Sequence, residues 1–163
     1  MKRTTIEPFV AATLIACKGY FFEEPEQGFP SVIKDLGQTT EQWDISAIIS
    51  LGGDAKGTIV LSINEKLALY LAGKVTGEVS TIIDDEVLDV FAEGVNIIAG
   101  NAKKDLTEYT RIILGLPTIV HGKINRIKLS NQLRDTAMAI PFHFSEGTMM
   151  LSVGLEDEAG YRI

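Results

Sequence analysis

The chain has 163 residues, 45% apolar and 23% charged, the balance of an ordinary globular domain that can bury a sizeable core. Fifteen Lys and Arg against 22 Asp and Glu leave a net charge of −7, and the four cations of 121–134 are too dispersed for a phosphate-binding patch, so no nucleic-acid partner is expected. The single cysteine, Cys17, excludes an intramolecular disulfide framework and a Cys-rich zinc site, and no apolar run approaches the roughly 20 residues that span a bilayer.

Two readings compete at the N-terminus. Lys2 and Arg3 precede the apolar run Pro8–Ala16, and Leu14-Ile15-Ala16-Cys17 has the look of a lipoprotein processing site at which Cys17 would be acylated. Glu7 and the shortness of the run favour an amphipathic helix over residues 1–22 instead. Val10, Leu14, Cys17 and Phe21 would then lie on one side, with Thr4, Thr5 and Ala12 turned away. Gly19 and Glu23-Glu24-Pro25 stop it, and residues 23–40 read as a connector without a clear period.

Trp43, Ile45, Ala47, Ile49 and Leu51 alternate with Asp44, Ser46 and Ser50, the period of a half-buried strand. Gly52–Gly57 supplies a turn and Thr58–Ile63 the partner strand of a hairpin. Asn64 is placed to cap a helix from about Glu65 to Lys74, ended by Thr76-Gly77. Asp84-Asp85-Glu86 set acids where a helix dipole favours them, at the head of a long helical stretch to about Tyr109. Thr118–Ile124 is extended. Met138, Ile140, Phe142 and Phe144 then alternate, as do Met149, Leu151, Val153 and Leu155, joined by Ser145-Glu146-Gly147. Pro141 cannot donate to a ladder, so its strand lies at an edge or carries a break. The expected architecture is a single α+β domain over 1–163, an antiparallel sheet covered on one face by two or three helices.

On a helical wheel of Glu86–Tyr109, Val87, Phe91, Val95, Ile98, Ala102 and Leu106 form a core stripe, and Glu86, Asp89, Glu93, Asn96, Gly100 and Lys104 form the opposite one. The outward stripe is unusual because Asn96 and Gly100 sit mid-helix, with Gly94 at the border. Asn costs a helix about 0.5 kcal/mol against Ala, and Gly about 1. Two explanations stand at this point: the glycines permit close helix packing with Asn96 incidental, or the stripe serves a function.

Asp89–Gly100, with Glu93 and Asn96 three apart, resembles the signature helix of the CheC/CheX/FliY phosphatases of bacterial chemotaxis. Gly100-Asn101-Ala102 continues that helix as the family does. Pro117-Thr118-Ile119-Val120-His121-Gly122 is similar to the segment that follows it there, and Gly52–Thr58 resembles the family's Gly-rich hairpin. The resemblance spans roughly residues 43–155. This chain contains one Glu-x-x-Asn, which favours the CheX branch over the two-copy CheC type. It departs from the pattern at Gly94, where the family usually has an aliphatic residue, and the departure weakens helix propensity and local packing.

The resemblance implies a cytoplasmic protein phosphatase that hydrolyses the aspartyl phosphate of a CheY-type response regulator in chemotaxis or two-component signalling, and that pairs as a homodimer. By the same resemblance the regulator supplies its own Mg²⁺ and lysine, so no cofactor of this chain's own is implied. Such hydrolysis needs a water in line with the bond from phosphorus to the aspartyl oxygen. Asn96 would orient that water through a neutral amide, and Glu93 would pair with the regulator's lysine. The alternative is a non-catalytic regulator-binding or flagellar-switch-binding module on the same fold. His121 and His143 are too isolated for a metal site and read as structural. Ser50, Ser62 and Ser152 lack a nucleophile elbow. Gly52, Gly53 and Gly57 lack the Lys-Ser/Thr of a phosphate loop.

Overall fold

The structure, a computed structural model, describes residues 3–33, 43–106, 111–124 and 137–157. In chain order the elements are α1 (Arg3–Gly19), β1 (Glu26–Gln27), β2 (Ser31–Ile33), β3 (Trp43–Gly53), β4 (Ala55–Ile63), α2 (Glu65–Thr76), α3 (Asp85–Asp105), β5 (Ile112–Leu114), β6 (Thr118–Ile124), β7 (Ala137–Phe144) and β8 (Gly147–Asp157). The strands form one antiparallel sheet in the order β1-β7-β8-β4-β3-β5, with β2 also on β7 and β6 also on β3. The three helices cover one face of it, the α+β architecture expected from the pattern.

Strand alternation dictates that face. Ile45, Ala47, Ile49 and Leu51 of β3 stand opposite Ile63, Leu61, Ile59 and Gly57 of β4, which in turn oppose Met149, Leu151, Val153 and Leu155 of β8. All of these side chains are buried, and they join Phe9, Leu67, Leu71, Phe91 and Ile98 from the helices in one core. Gly57 is required by close approach, because a Cβ there would lie 2.4 Å from the Gly154 carbonyl oxygen. On the opposite face Ser46 is buried rather than solvated, and its hydroxyl meets that of Ser62 across the ladder at 2.9 Å.

Three local expectations need correction, while that of a break in pairing at Pro141 holds. Residues 23–33 are not a bare connector: β1 and β2 pair with β7 through His143, Phe142 and Ala137–Ala139. Pro141 falls in the interval between these two short strands, where Gly28 N–H donates to its carbonyl at 2.8 Å and no ladder bond asks for its missing N–H. Asn64 heads α2 without a side-chain cap; instead the Glu65 N–H donates to Asp44 Oδ2 at 2.8 Å. Ala12 of α1 is buried, not turned away, because the helix packs along α3 and its buried arc is wider, with Ile6, Phe9, Thr13, Ala16 and Cys17. Thr4 and Thr5 lie on α1 with nothing described of their side chains, and the stretches around residue 40 and Tyr109 lie outside the described residues.

The end of α1 is a wound cap rather than more helix. Tyr20 and Phe21 N–H groups both donate to the Ala16 carbonyl, and Glu23 N–H donates to that of Cys17 at 3.1 Å, with Phe22 between them at φ 57°. The Phe21 bond reaches back five residues and the Glu23 bond six, so the last turn is widened, with phenylalanine in the left-handed conformation that glycine usually takes at a helix end. Lys74 Nζ donates to the Phe22 carbonyl at 3.2 Å and pairs with Glu23 at 2.6 Å, while the Tyr70 hydroxyl also donates to Glu23. The bonds from Lys74 and then Tyr70 hold the Glu23 carboxyl below the usual carboxylate range.

Candidate functional site

The site rests on α3, whose start is fixed locally. Asp84 adopts an extended conformation and its Oδ1 accepts the Val87 N–H at 3.0 Å, while Asp85 and Glu86 lie in the first turn and Lys103 and Lys104 in the last. Val87, Phe91, Val95, Ile98 and Ala102 are buried, as the stripe requires, and Leu106 serves as the C-cap. The helix therefore stops at Asp105, four residues short of the expected end.

With that stripe in the core, Glu93 and Asn96 face outward, and both are exposed. Helical geometry separates them by roughly 60° around the axis and about 4.5 Å along it. Among the described residues neither side chain has a hydrogen bond or ion pair within the chain. Glu86 and Asp89 are exposed on the same stripe, so the N-terminal half of this surface is acidic. The site is a convex helix face. An apolar groove lined by Ile6, Val10, Leu14, Phe29, Val32 and Met138 lies on the flank of α1 and shares no residue with it.

The two glycines of this helix have different explanations. A Cβ on Gly94 would sit 2.7 Å from Phe21 Cζ, so the ring of α1's cap fills the space where an aliphatic side chain would project. Phe21 is fully buried, stacked on Phe91 with centroids 5.7 Å apart, and in edge contact with Tyr20 at 4.9 Å. The local packing that Gly94 was expected to weaken is thus supplied from α1. At Gly100, one turn beyond Asn96, a Cβ would meet nothing within 4 Å. Helix packing accounts for the first glycine and not for the second.

Tyr20 borders the site. Its hydroxyl donates to the Val90 carbonyl at 3.0 Å, and its Cε1 lies 3.6 Å from the Cβ position of Gly94. Burial, and then the neighbouring Glu93 carboxylate, push the phenol up to about 12. Sequence reasoning placed Phe21 on the core side of α1 but missed this role and missed Tyr20. The only signal available was an aromatic pair directly after Gly19, opposite a glycine in the motif.

The other candidates are structural. Asp54 and the glycines around it form the β3–β4 turn, with Gly53 at φ 94° and Asp54 Oδ2 accepting the Arg111 N–H at 2.7 Å. His121 is exposed on β6, and His143, exposed on β7, shares a hydrogen bond with Thr148 at 3.0 Å. Cys17 is buried on α1, its thiol pushed up to about 12 by burial, a position that suits the helix reading of the N-terminus. Among the described residues no group of three or more His, Cys, Asp or Glu is placed to hold a metal ion, and no helix is long and apolar enough to cross a membrane.

The family described as chemotaxis phosphatase CheX matches residues 45–143. Among solved structures, a CheC-like superfamily protein from Shewanella sp. PV-4 superposes with a TM-score of 0.84 at 29% identity, covering 96% of this chain and 99% of that one. A chemotactic CheC-like protein from Shewanella oneidensis gives 0.81 at 27%, covering 96% and 100%. The CheX–CheY–BeF₃–Mg²⁺ complex from Borrelia burgdorferi gives 0.77 at 24%, covering 93% and 97%, a likeness of fold. No curated protein sequence matches the chain.

Proposed function

The chain belongs to the chemotaxis phosphatase CheX family, and on that premise we propose that it hydrolyses the aspartyl phosphate of a CheY-type response regulator, with Asn96 orienting the water and Glu93 docking the partner. The observation that carries the reading is the pair itself: two polar side chains a turn apart on a rigid helix, outward, exposed and without a hydrogen bond or ion pair among the described residues. A helix face can enter a regulator's phosphorylation site where a cleft could not. Gly100, with open space beside it, keeps the surface flat next to Asn96.

In this reading the phosphoryl group and its Mg²⁺ arrive with the regulator, and this chain contributes side chains only. The Asn96 amide accepts from the attacking water through its carbonyl oxygen and donates through its nitrogen. A carboxylate there would meet repulsion from the phosphoryl oxygens. Glu93 stands back from the reacting atoms and pairs with the regulator's lysine, which fixes the register of docking. Phosphorus passes to water without a covalent intermediate on this chain. The same family reading carries a homodimer and a cytoplasmic setting.

The test is the decay of each CheY-type regulator of the same genome after phosphorylation by acetyl phosphate. Wild-type protein accelerates the decay for a cognate regulator. Asn96→Ala lowers the rate about a hundredfold or more while the fold stays intact, since a positioned water is lost and the docking contacts remain. Asn96→Asp is equally poor. Turnover by Asn96→Ala at the wild-type rate rules out this helix as the catalytic element; no acceleration by the wild type with any regulator leaves a binding module.

A further inference from the structure

We propose that Tyr20 is a positioning residue for Glu93: anchored on the Val90 carbonyl, its ring walls off one side of the Glu93 side chain and leaves it aimed at the partner. The inference rests on the phosphatase reading above, because an aimed Glu93 shows its effect only on the regulator.

Helical side chains lean toward the helix N-terminus, so the Glu93 carboxylate lies over the turn that carries Asp89 and Val90. Tyr20 occupies the flank of that same turn. Its hydroxyl reaches Val90 O at 3.0 Å and its ring edge lies 3.6 Å from the Cβ position of Gly94, so the phenol spans from residue 90 to residue 94 beside residue 93. Val90, Glu93 and Gly94 are i, i+3 and i+4 neighbours on the helix surface. Gly94 makes the arrangement possible, since a Cβ there would crowd the Phe21 ring against which Tyr20 packs.

The wall is rigid. Tyr20 packs edge-on against Phe21, which is buried and stacked on Phe91, and its own N–H is held by the Ala16 carbonyl at 2.8 Å. It also spares the charge it borders. The hydroxyl is committed to a backbone carbonyl, so it shapes the space around Glu93 without drawing the carboxylate into a hydrogen bond of its own. The phenol's titration is raised first by burial and then by the Glu93 carboxylate, which accords with the two side chains lying near each other. Otherwise Glu93 has no restraint among the described residues. An unrestrained glutamate loses several rotamers on docking, and a wall on one flank removes some of them beforehand.

Steady-state turnover of the acetyl-phosphate-loaded regulator tests this. Tyr20→Ala should raise KM for the regulator by about three- to tenfold, with kcat within about twofold of wild type. Tyr20→Phe, which keeps the ring, should recover most of the loss, and Tyr20→Leu replaces the alanine variant if that one does not fold. In a Glu93→Ala background, Tyr20→Ala should add nothing to KM. The inference is overturned if KM is unmoved, if kcat falls instead, or if the two substitutions add in full, which marks a general loosening of the fold. Loss of the Asn96 dependence would sink the phosphatase reading itself, whereas a normal Asn96 dependence with an indifferent Tyr20 sinks this inference alone.

Discussion

Single residues on α3 separate what the fold needs from what the surface does. At Gly100 the fold needs nothing: no atom would meet a Cβ, and Gly→Ala in a helix interior gains about 1 kcal/mol. Gly100→Ala should therefore stabilise the protein by about 0.5–1 kcal/mol, read as a higher urea midpoint at unchanged slope. Phe22 is the opposite kind of exception. Its ring is 60% exposed while its backbone holds a left-handed conformation that disfavours bulky residues by about 1–2 kcal/mol. Phe22→Gly relieves that strain, offset in part by the entropy of the unfolded chain, and should raise the midpoint slightly. A lower midpoint would mean that the exposed ring makes contacts that outweigh its backbone strain. Neither residue's situation is legible in the sequence, since both depend on what lies across from them.

At the scale of elements, α3 was readable and its contact with α1 was not. The buried stripe from Val87 to Ala102, the Asp84 cap and the outward Glu93 and Asn96 follow from a period of 3.6 and from local chemistry within one segment. The burial of Ala12 and the docking of Phe21 over Gly94 are set by the approach of a second helix more than seventy residues away, which no local period encodes. The hairpin β3–β4 was legible for the same local reason as α3. Strands of two and three residues, β1 and β2, carry too few alternations to announce themselves and exist because β7 offers a free side. The α1–α3 contact makes a prediction that contrasts with Gly100. Gly94→Ala has the same propensity gain, yet it drives a Cβ into the buried Phe21 ring, and overpacking of this kind costs about 1–3 kcal/mol. A net loss of about 1 kcal/mol is expected, turning neutral or favourable in a Phe21→Ala background. Equal gains at both glycines would show that the Phe21 ring moves aside freely.

Over the whole molecule, burial of groups that titrate in alkali sets one limit of stability. Cys17 rises from 9.0, and Tyr20 from 10.0, each to about 12, so in both cases the folded state holds its proton more tightly than the unfolded chain. That contribution is complete below pH 9 and is lost as the pH rises from there toward 12. The thermal midpoint should fall progressively above pH 9, and Cys17→Ala should delay the onset to about pH 10, where the raised groups Tyr20, Tyr70 and Lys74 remain. A wild-type midpoint level to pH 11 contradicts the burial of the thiol. Asn96 stands outside this coupling between structure and stability, and Glu93 enters it only through the Tyr20 phenol. Neither side chain has a hydrogen bond or ion pair among the described residues, so a library screened only for folding would let both positions drift toward better helix formers such as alanine. Their retention in any descendant of this sequence would report selection by an encounter with another molecule, and their loss would leave a protein that folds as well as before without that encounter.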